Sequence, residues 1–343
     1  MSPCFHVHRF LAPNIPGRIG SGGRWKQFGY PPTVVNRGDV LPVNAAPITR
    51  VQPGAELEIE VLSSHFSRRR REGVSLHWLF SGIDTLGAKH PALQRGSAKI
   101  PFGHHRVELA RKIHLVAPTE SMLCTLSLAA VTASGETVAG NFIQHFVTKG
   151  PLAEREDRGN TLVLRRRIED WAISEWSAES IDREAARASG SCYGCGVGFF
   201  EWHFTDEAVR HVSRARRIRI LGEVSARRND TQQTGGQAQP TQFEMLINGV
   251  PVHRAPLPDH PHDTRGALSY LRGGRGAYGY LMQASIEEDL LQRLAAAAES
   301  DGTLRLRCAV PPKAGCPGGL TVYDTECGRF PIGPTIVIEW EQQ

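Results

Sequence analysis

"ELEIEVL", residues 56–62, alternates acidic and apolar side chains, which puts Leu57, Ile59 and Val61 on one face and Glu56, Glu58 and Glu60 on the other. A period of two is that of a strand with one face on a core and one in water. Similar stretches follow: "VSLHWLF" (74–80), "RVELARKIHLV" (106–116), "LCTLSLAAVT" (123–132) and "TVAGNFIQHFVT" (137–148). Their connections carry Gly, Pro or Ser ("SGIDTLG", "APTES", "ASGE"), and no helix intervenes. Short strands spaced by turns predict an antiparallel sandwich over residues 46–150, with Trp78 packed between its sheets.

Before this sandwich, residues 1–45 read as an irregular arm or linker, dense in breakers ("PNIPGRIGSGGRWKQFGYPP"). After it, the polar run "KGPLAEREDRGN" (149–160) marks a domain boundary. The remainder, 151–343, opens with a stretch that tolerates a short helix (174–188) and then returns to strands: "FFEWHF" (199–204), "RIRILGEVSA" (217–226), "GTLRLRCAV" (302–310), "GGLTVYD" (318–324) and "PTIVIEW" (334–340). In "TQFEMLINGVPVHRA" (241–255), Asn248-Gly249 supplies the two positive-φ positions of a hairpin turn. "IEEDLLQRLAAAA" (286–298) is the clearest helix. The fold class expected is therefore all-β, two β-sandwich domains, the second a jelly roll with one inserted helix. Strands never alternate regularly with helices, which excludes a (β/α)₈ barrel.

Composition sets outer bounds. Of 343 residues, 35 are Gly and 22 Pro, a turn-rich balance. The formal net charge is +5, and the arginine runs "SRRRRE" (67–72), "RRR" (165–167) and "RARRIR" (214–219) are dispersed and lack a recognition motif. They are expected to be solvated loops or strand edges, with no nucleic-acid partner. No window approaches eighteen apolar residues, so no membrane span is expected. The start "MSPCFHVHRFLAPNIPG" has neither an apolar core nor a small-residue cleavage site. A cytoplasmic protein is expected if the chain is complete, and a secreted one if it is a fragment.

Seven cysteines are too odd a set for complete pairing, and the CxxC at Cys192 and Cys195 has no second pair at zinc spacing. It reads as two loop cysteines without a ligand. The histidine pairs His6/His8, His104/His105 and His260/His262 have no carboxylate or cysteine at metal spacing, so neither a metal nor a cofactor is expected. Gly-rich phosphate loops in a strand-to-helix setting, GxSxG and HExxH are absent. Glu201, Glu223, Asp259, Asp263, Asp324 and Glu326 are available for an acid and nucleophile pair roughly 5 Å apart, or for turn capping and ion pairs with the arginines.

"FFEWHF", "RILGEVSAR", "INGVPV", "LPDHPHDTRGALSY", "GAYGYL" and "GGLTVYDTECGRFPIGPTIVI" occur in that order. The series resembles the C-terminal galactose-binding-like jelly roll of glycoside hydrolase family 2, β-galactosidase-like proteins. "LHWLFSGIDTLG" and "IHLVAPTESMLCTLSLAAVTASGETVAGNFIQHFV" are similar to the immunoglobulin-like sandwich that follows the catalytic barrel in that family. The resemblance covers roughly residues 50–343. It implies a non-catalytic, carbohydrate-associated region that stabilises the enzyme or binds glycan, since the family's catalytic glutamates lie upstream in a barrel this chain lacks. Its partners would be a glycan or oligosaccharide and a catalytic barrel domain on the same or another chain.

Within "DTRGALSYLRGGRGAYGYL" (263–281), Tyr270, Tyr278 and Tyr280 are suited to stacking on sugar rings, and Asp263, Arg265 and the later Arg329 to bonding hydroxyls. The same stretch reads first as a structural joint, in which Tyr278 and Tyr280 share a core face and Gly276 and Gly279 admit close backbones. Trp25, Phe28, Tyr30 and Asp39 invite a parallel reading, as a loop reaching a neighbouring domain's sugar cleft or as a connector over the first sandwich. Two alternatives to the leading function stay open: a stand-alone glycan-active enzyme using a carboxylate pair in the jelly roll, and a structural or interaction module without ligand.

Overall fold

The computed structural model describes residues 38–46, 48–226, 241–257, 279–312, 318–325, 328 and 330–341. The chain is all-β, built from stacked sheets, and forms two compact units, whose described residues divide between Gly150 and Pro151.

The first unit holds β1 (Asp39–Val40), β2 (Ile48–Val51), β3 (Glu56–His65), β4 (Ser75–Asp84), β5 (Lys89–Lys99), β6 (Arg106–Val116), β7 (Met122–Val131) and β8 (Thr137–Val147). A three-stranded sheet runs β1-β3-β6 and a five-stranded sheet β2-β8-β7-β4-β5; β2 lies parallel to β8. The alternation of residues 56–62 does what it predicts: Ile59 and Val61 enter the core with Ile113 and Leu115, facing Leu76, Phe80, Leu126 and Leu128 of the other sheet. Trp78 packs half-buried against this core, its ring against the backbone of Gly96 on β5, where any Cβ would collide with it.

Two elements depart from expectation. β5, "KHPALQRGSAK", is a polar edge strand with Pro91 inside it, and such a sequence carries no apolar period. The end of the expected N-terminal arm is also structured. Asp39 and Val40 pair with His65 and Ser64 of β3, and Leu41 lies in the core, so burial holds these residues in the first unit.

The second unit holds β9 (Arg155–Asp157), β10 (Thr161–Arg165), β11 (Ile173–Trp176), β12 (Ser191–Cys195), β13 (Gly198–Thr205), β14 (Ala215–Ala226), β15 (Thr241–Ile247), β16 (Val250–Leu257), β17 (Tyr280–Glu287), β18 (Thr303–Val310), β19 (Gly319–Tyr323) and β20 (Thr335–Trp340). Helices α1 (Arg183–Ser189) and α2 (Glu288–Asp301) and a 3₁₀ turn (Glu207–Arg214) complete it. A seven-stranded sheet runs β12-β19-β14-β20-β10-β9 with β17 also on β14, and a five-stranded sheet runs β11-β13-β18-β15-β16. Phe200, Trp202 and Phe204 of β13 meet Ile218, Ile220 and Val224 of β14 between them. Asn248 and Gly249 take φ of 47° and 79°, so the β15–β16 hairpin turns where its sequence requires. Asp182 caps α1 through the amide of Ala185, and Gly302 ends α2 in the left-handed conformation. Among the described residues no helix is long and apolar enough to cross a membrane.

One buried group makes the first unit sensitive to acid. His145 of β8 bonds Thr49 Oγ1 through Nδ1 (2.7 Å), and burial pulls its pKa down to about 4. Between that value and the ordinary 6.5 the unfolded chain binds a proton there and the folded chain does not, so stability is lost as pH falls through this window. Lowering pH from 7.5 to 5 should cost about 2 kcal/mol through this residue. Denaturant melts of the wild type and of His145→Gln at both pH values test this; an equal pH dependence in the two proteins refutes it.

Candidate functional site

β14 is twelve residues long and has three partners. β17 occupies one edge throughout, from Arg217↔Glu287 to Val224↔Tyr280. The other edge is shared: β20 pairs up to Leu221, and β19 takes over from Glu223. At this changeover Gly222 faces the core, 3.6 Å from Met245 Cε at its Cβ position, so Glu223 points to the opposite, outer face. Glu223 is nevertheless fully buried. Its Oε2 accepts the Phe330 amide at 2.7 Å, which ties the β19–β20 connection to β14. Two residues on, Ser225 Oγ bonds Tyr323 Oη at 2.7 Å.

Two glycines leave room for this carboxylate. A Cβ on Gly279 would stand 2.7 Å from Glu223 Cγ and 2.8 Å from the Val224 carbonyl, and a Cβ on Gly328 would collide with the carboxylate itself. The "GAYGY" glycine at 279 thus serves close backbone approach, one of the two readings its sequence allows.

Of the predicted sugar contacts, Asp263, Arg265, Tyr270, Tyr278 and Arg329 lie outside the described residues. Tyr280 opens β17 opposite Val224 and packs half-buried against the second unit's core. Trp25, Phe28 and Tyr30 also lie outside the described residues. Asp39 is buried in β1 and holds His65, so it is unavailable to a sugar cleft.

A second polar group, which sequence reading left unassembled, lies on the outer face of the five-stranded sheet. Glu201 accepts Arg307 Nε at 2.8 Å and faces His203 Nε2 at 2.9 Å, while the Arg307 guanidinium lies 3.8 Å over the Phe199 ring. Burial raises the pKa of Glu201, but the bonds from His203 and Arg307 outweigh it and hold the carboxyl below its ordinary range. Glu244 and Arg254 pair beside it. The cross-strand register Glu201↔Arg307 is the signal that could have assembled this cluster, and it requires knowing that β13 neighbours β18.

Glu201 and Glu223 do not converge. Glu201 and Glu223 sit on the outer faces of opposite sheets, with the core between them, and stacked sheets alone stand about 10 Å apart. A pair at roughly 5 Å cannot be made from these two. Asp259, Asp263 and Glu326 lie outside the described residues.

The CxxC is not in a loop. Cys192 and Cys195 belong to β12, paired to Val322 and Gly319, and three residues along a strand places them on opposite faces. Cys192 joins the core with Cys308, and burial pushes the Cys308 thiol up to about 12. Among the described residues no three metal-ligating side chains are grouped. The His104 and His105 rings lie 3.9 Å apart between centroids, tilted by 60°, in the first unit, while His6, His8, His260 and His262 lie outside the described residues.

No family model and no curated protein matches the chain. Solved structures similar to it include tandem CBM51 modules of Sp3GH98, the family 98 glycoside hydrolase from Streptococcus pneumoniae SP3-BS71, at 11% identity over 82% of this chain and 84% of that one, with a TM-score of 0.26. Bacteroides uniformis β-glucuronidase matches at 11% over 96% of this chain and 33% of its own, with a TM-score of 0.22. SGBP-B of the Bacteroides ovatus mixed-linkage glucan utilization locus, in complex with a mixed-linkage heptasaccharide, matches at 10% over 89% and 52%, with a TM-score of 0.20. The chain spans about a third of the β-glucuronidase's length. Likenesses this weak carry no argument about family or ligand.

Replacing Gly279 by Ala should cost about 1–3 kcal/mol, since backbone and a buried carboxylate must both shift. Gly222→Ala, with only ordinary contact at 3.6 Å, serves as the reference. Urea melts that give equal losses for the two would refute the packing role of Gly279. For the cysteines, Cys124, Cys192, Cys195 and Cys308 should resist a thiol reagent in the folded chain and react on denaturation. Peptide mapping of the labelled sites reads this directly, and labelling of Cys192 in the native chain would contradict its burial.

Proposed function

We propose that the chain is a non-catalytic, carbohydrate-associated region of a glycoside hydrolase family 2 type protein, an immunoglobulin-like sandwich (46–150) followed by a galactose-binding-like jelly roll (151–343). It binds glycan or stabilises an associated catalytic barrel. The observation that carries this reading is the placement of the motif series. "FFEWHF", "RILGEVSAR", "INGVPV" and "GGLTVYDTECGRFPIGPTIVI" fall on β13, β14, the β15–β16 turn and β19–β20, strands that enclose one core. The separation of Glu201 from Glu223 across that core weighs against the stand-alone enzyme. Asp263, Arg265, Tyr270, Tyr278, Tyr280 and Arg329 are the proposed sugar contacts, of which Tyr280 packs half-buried against the second unit's core.

Calorimetry and product release, run together on the full chain with galactosides, glucuronides and plant polysaccharides, test the proposal. Binding without turnover is expected, and paired Tyr270→Ala and Tyr278→Ala changes should weaken it about tenfold, or 1.4 kcal/mol. Turnover abolished by Glu201→Gln or Glu223→Gln would establish the enzyme instead. Silence in both assays would leave a scaffold.

A further inference from the structure

The four arginines of "SRRRRE" do not share one fate. Arg71 is committed: its Nη1 donates to Glu136 at 2.7 Å, and its Nε lies 3.8 Å from Asp39. Arg68, Arg69 and Arg70 are exposed and make no ion pair with any described carboxylate. Three adjacent uncompensated guanidiniums on a globular surface raise the local potential, and their planar forks suit carboxylate or sulfate oxygens.

The loop that carries them is fastened from below. His65 Nδ1 donates to Asp39 Oδ1 at 2.6 Å, the Ser67 amide donates to the same oxygen at 3.2 Å, and His104 Nε2 donates to the Ser67 carbonyl at 2.9 Å. His65 is sandwiched by rings, 5.0 Å from Phe102 and 4.9 Å from His104. A buried Asp–His pair at the root of an exposed basic loop costs desolvation, and it restrains where the arginines can go.

Beside the arginines the surface is apolar and aromatic. Phe66 is 52% exposed, against the His105 ring edge at 5.9 Å, and Leu109 and Val107 on the adjoining strand are 50% and 45% exposed. Two more cations stand exposed on β6: Arg106, opposite His65 and 3.9 Å from Glu108, and Arg111. Further along β6, Lys112 is bonded to Glu58 (2.8 Å) and lies 3.3 Å from Glu60, which neutralises that part of the sheet. The patch thus sets the three loop guanidiniums, with Arg106 and Arg111 near them, next to one accessible ring, and Glu58 and Glu60 bound it. A nucleic-acid backbone asks for a basic stripe that runs on, and the acidic pair at Glu58 and Glu60 bounds this surface at Lys112.

We infer that this face of the first unit, Phe66 with Arg68, Arg69 and Arg70, is a docking surface for a carboxylated polysaccharide, a polyuronate. The guanidiniums pair with the uronate carboxylates while Phe66 meets the apolar face of a pyranose ring. It uses none of the residues proposed above as sugar contacts and rests on the glycan-associated reading only for the choice of polymer.

The test is binding of the full chain to polygalacturonate, a neutral galactan, single-stranded DNA and phosphatidylserine vesicles at two salt concentrations. The wild type should bind polygalacturonate, more weakly at high salt. The triple variant Arg68→Ala, Arg69→Ala, Arg70→Ala should bind it at least tenfold more weakly with an unchanged melting temperature, because none of the three is paired. Phe66→Ala should weaken binding at both salt concentrations alike, as an uncharged contact does. Galactan binding should be the same in wild type and triple variant, so loss of galactan binding reports on the sugar contacts proposed above and not on this surface. Polygalacturonate binding that survives the triple change, no binding to polygalacturonate at all, or tighter binding of DNA or vesicles would each overturn the proposal.

Discussion

A strand has two edges, and β14 must serve three neighbours. The second unit is arranged around that conflict. β19 and β20 follow one another along one edge, and the connection between them leaves that edge at the changeover and brings the Phe330 amide to Glu223 on the outer face of β14. A loop laid over a sheet face brings backbone amides where no ladder can satisfy them. Glu223 meets this need by accepting the Phe330 amide. A buried carboxylate is itself expensive, so it persists only where donors reach it and nothing bulky intrudes. That explains why two of its neighbours are glycines, and why β17 can begin beside it at Tyr280.

The same geometry decides where chemistry can sit. A sandwich fills its interior with apolar side chains and leaves polar groups to the backs of its sheets. In the second unit one back carries Glu201 with Arg307 and His203, and the other carries Glu223 and the Arg217, Arg219 and Glu339 cluster. Charges on one back can cooperate with each other and not with those on the other. Any two-carboxylate mechanism has to draw both groups from one back or from the loops at its rim. The ion-paired state of Glu201, held by an arginine fork, fits a fixed hydrogen-bonding surface better than a proton donor.

Much of the fold was legible because its strands are amphipathic. The limits expected for β6 are those observed, and the Asn248-Gly249 turn was readable from two residues, since few others accept positive φ in succession. β5 was missed because an edge strand needs no apolar face, and β1 because two residues carry no period. The candidate site was harder for a different reason. Glu223 was visible as a carboxylate, but its burial follows from which strands flank β14, and pairing between residues a hundred positions apart leaves no local mark. The CxxC misled in the other direction: a spacing that reads as a loop motif lies along a strand, where it points its thiols apart.

The arginine run shows the same limit within five residues. Arg68 and Arg71 are chemically identical, and nothing in "SRRRRE" distinguishes them. What separates them is Asp39 and Glu136, brought in from 32 and 65 residues away from Arg71 by β1 and the β7–β8 turn. The fold uses one guanidinium to close its own surface and leaves the other three exposed, with no ion pair to a described carboxylate. A run of like charge is a solvated loop when every member is free to move. It becomes a surface with a shape when its root is tied to a buried pair, as Ser67 is here through Asp39 and His104.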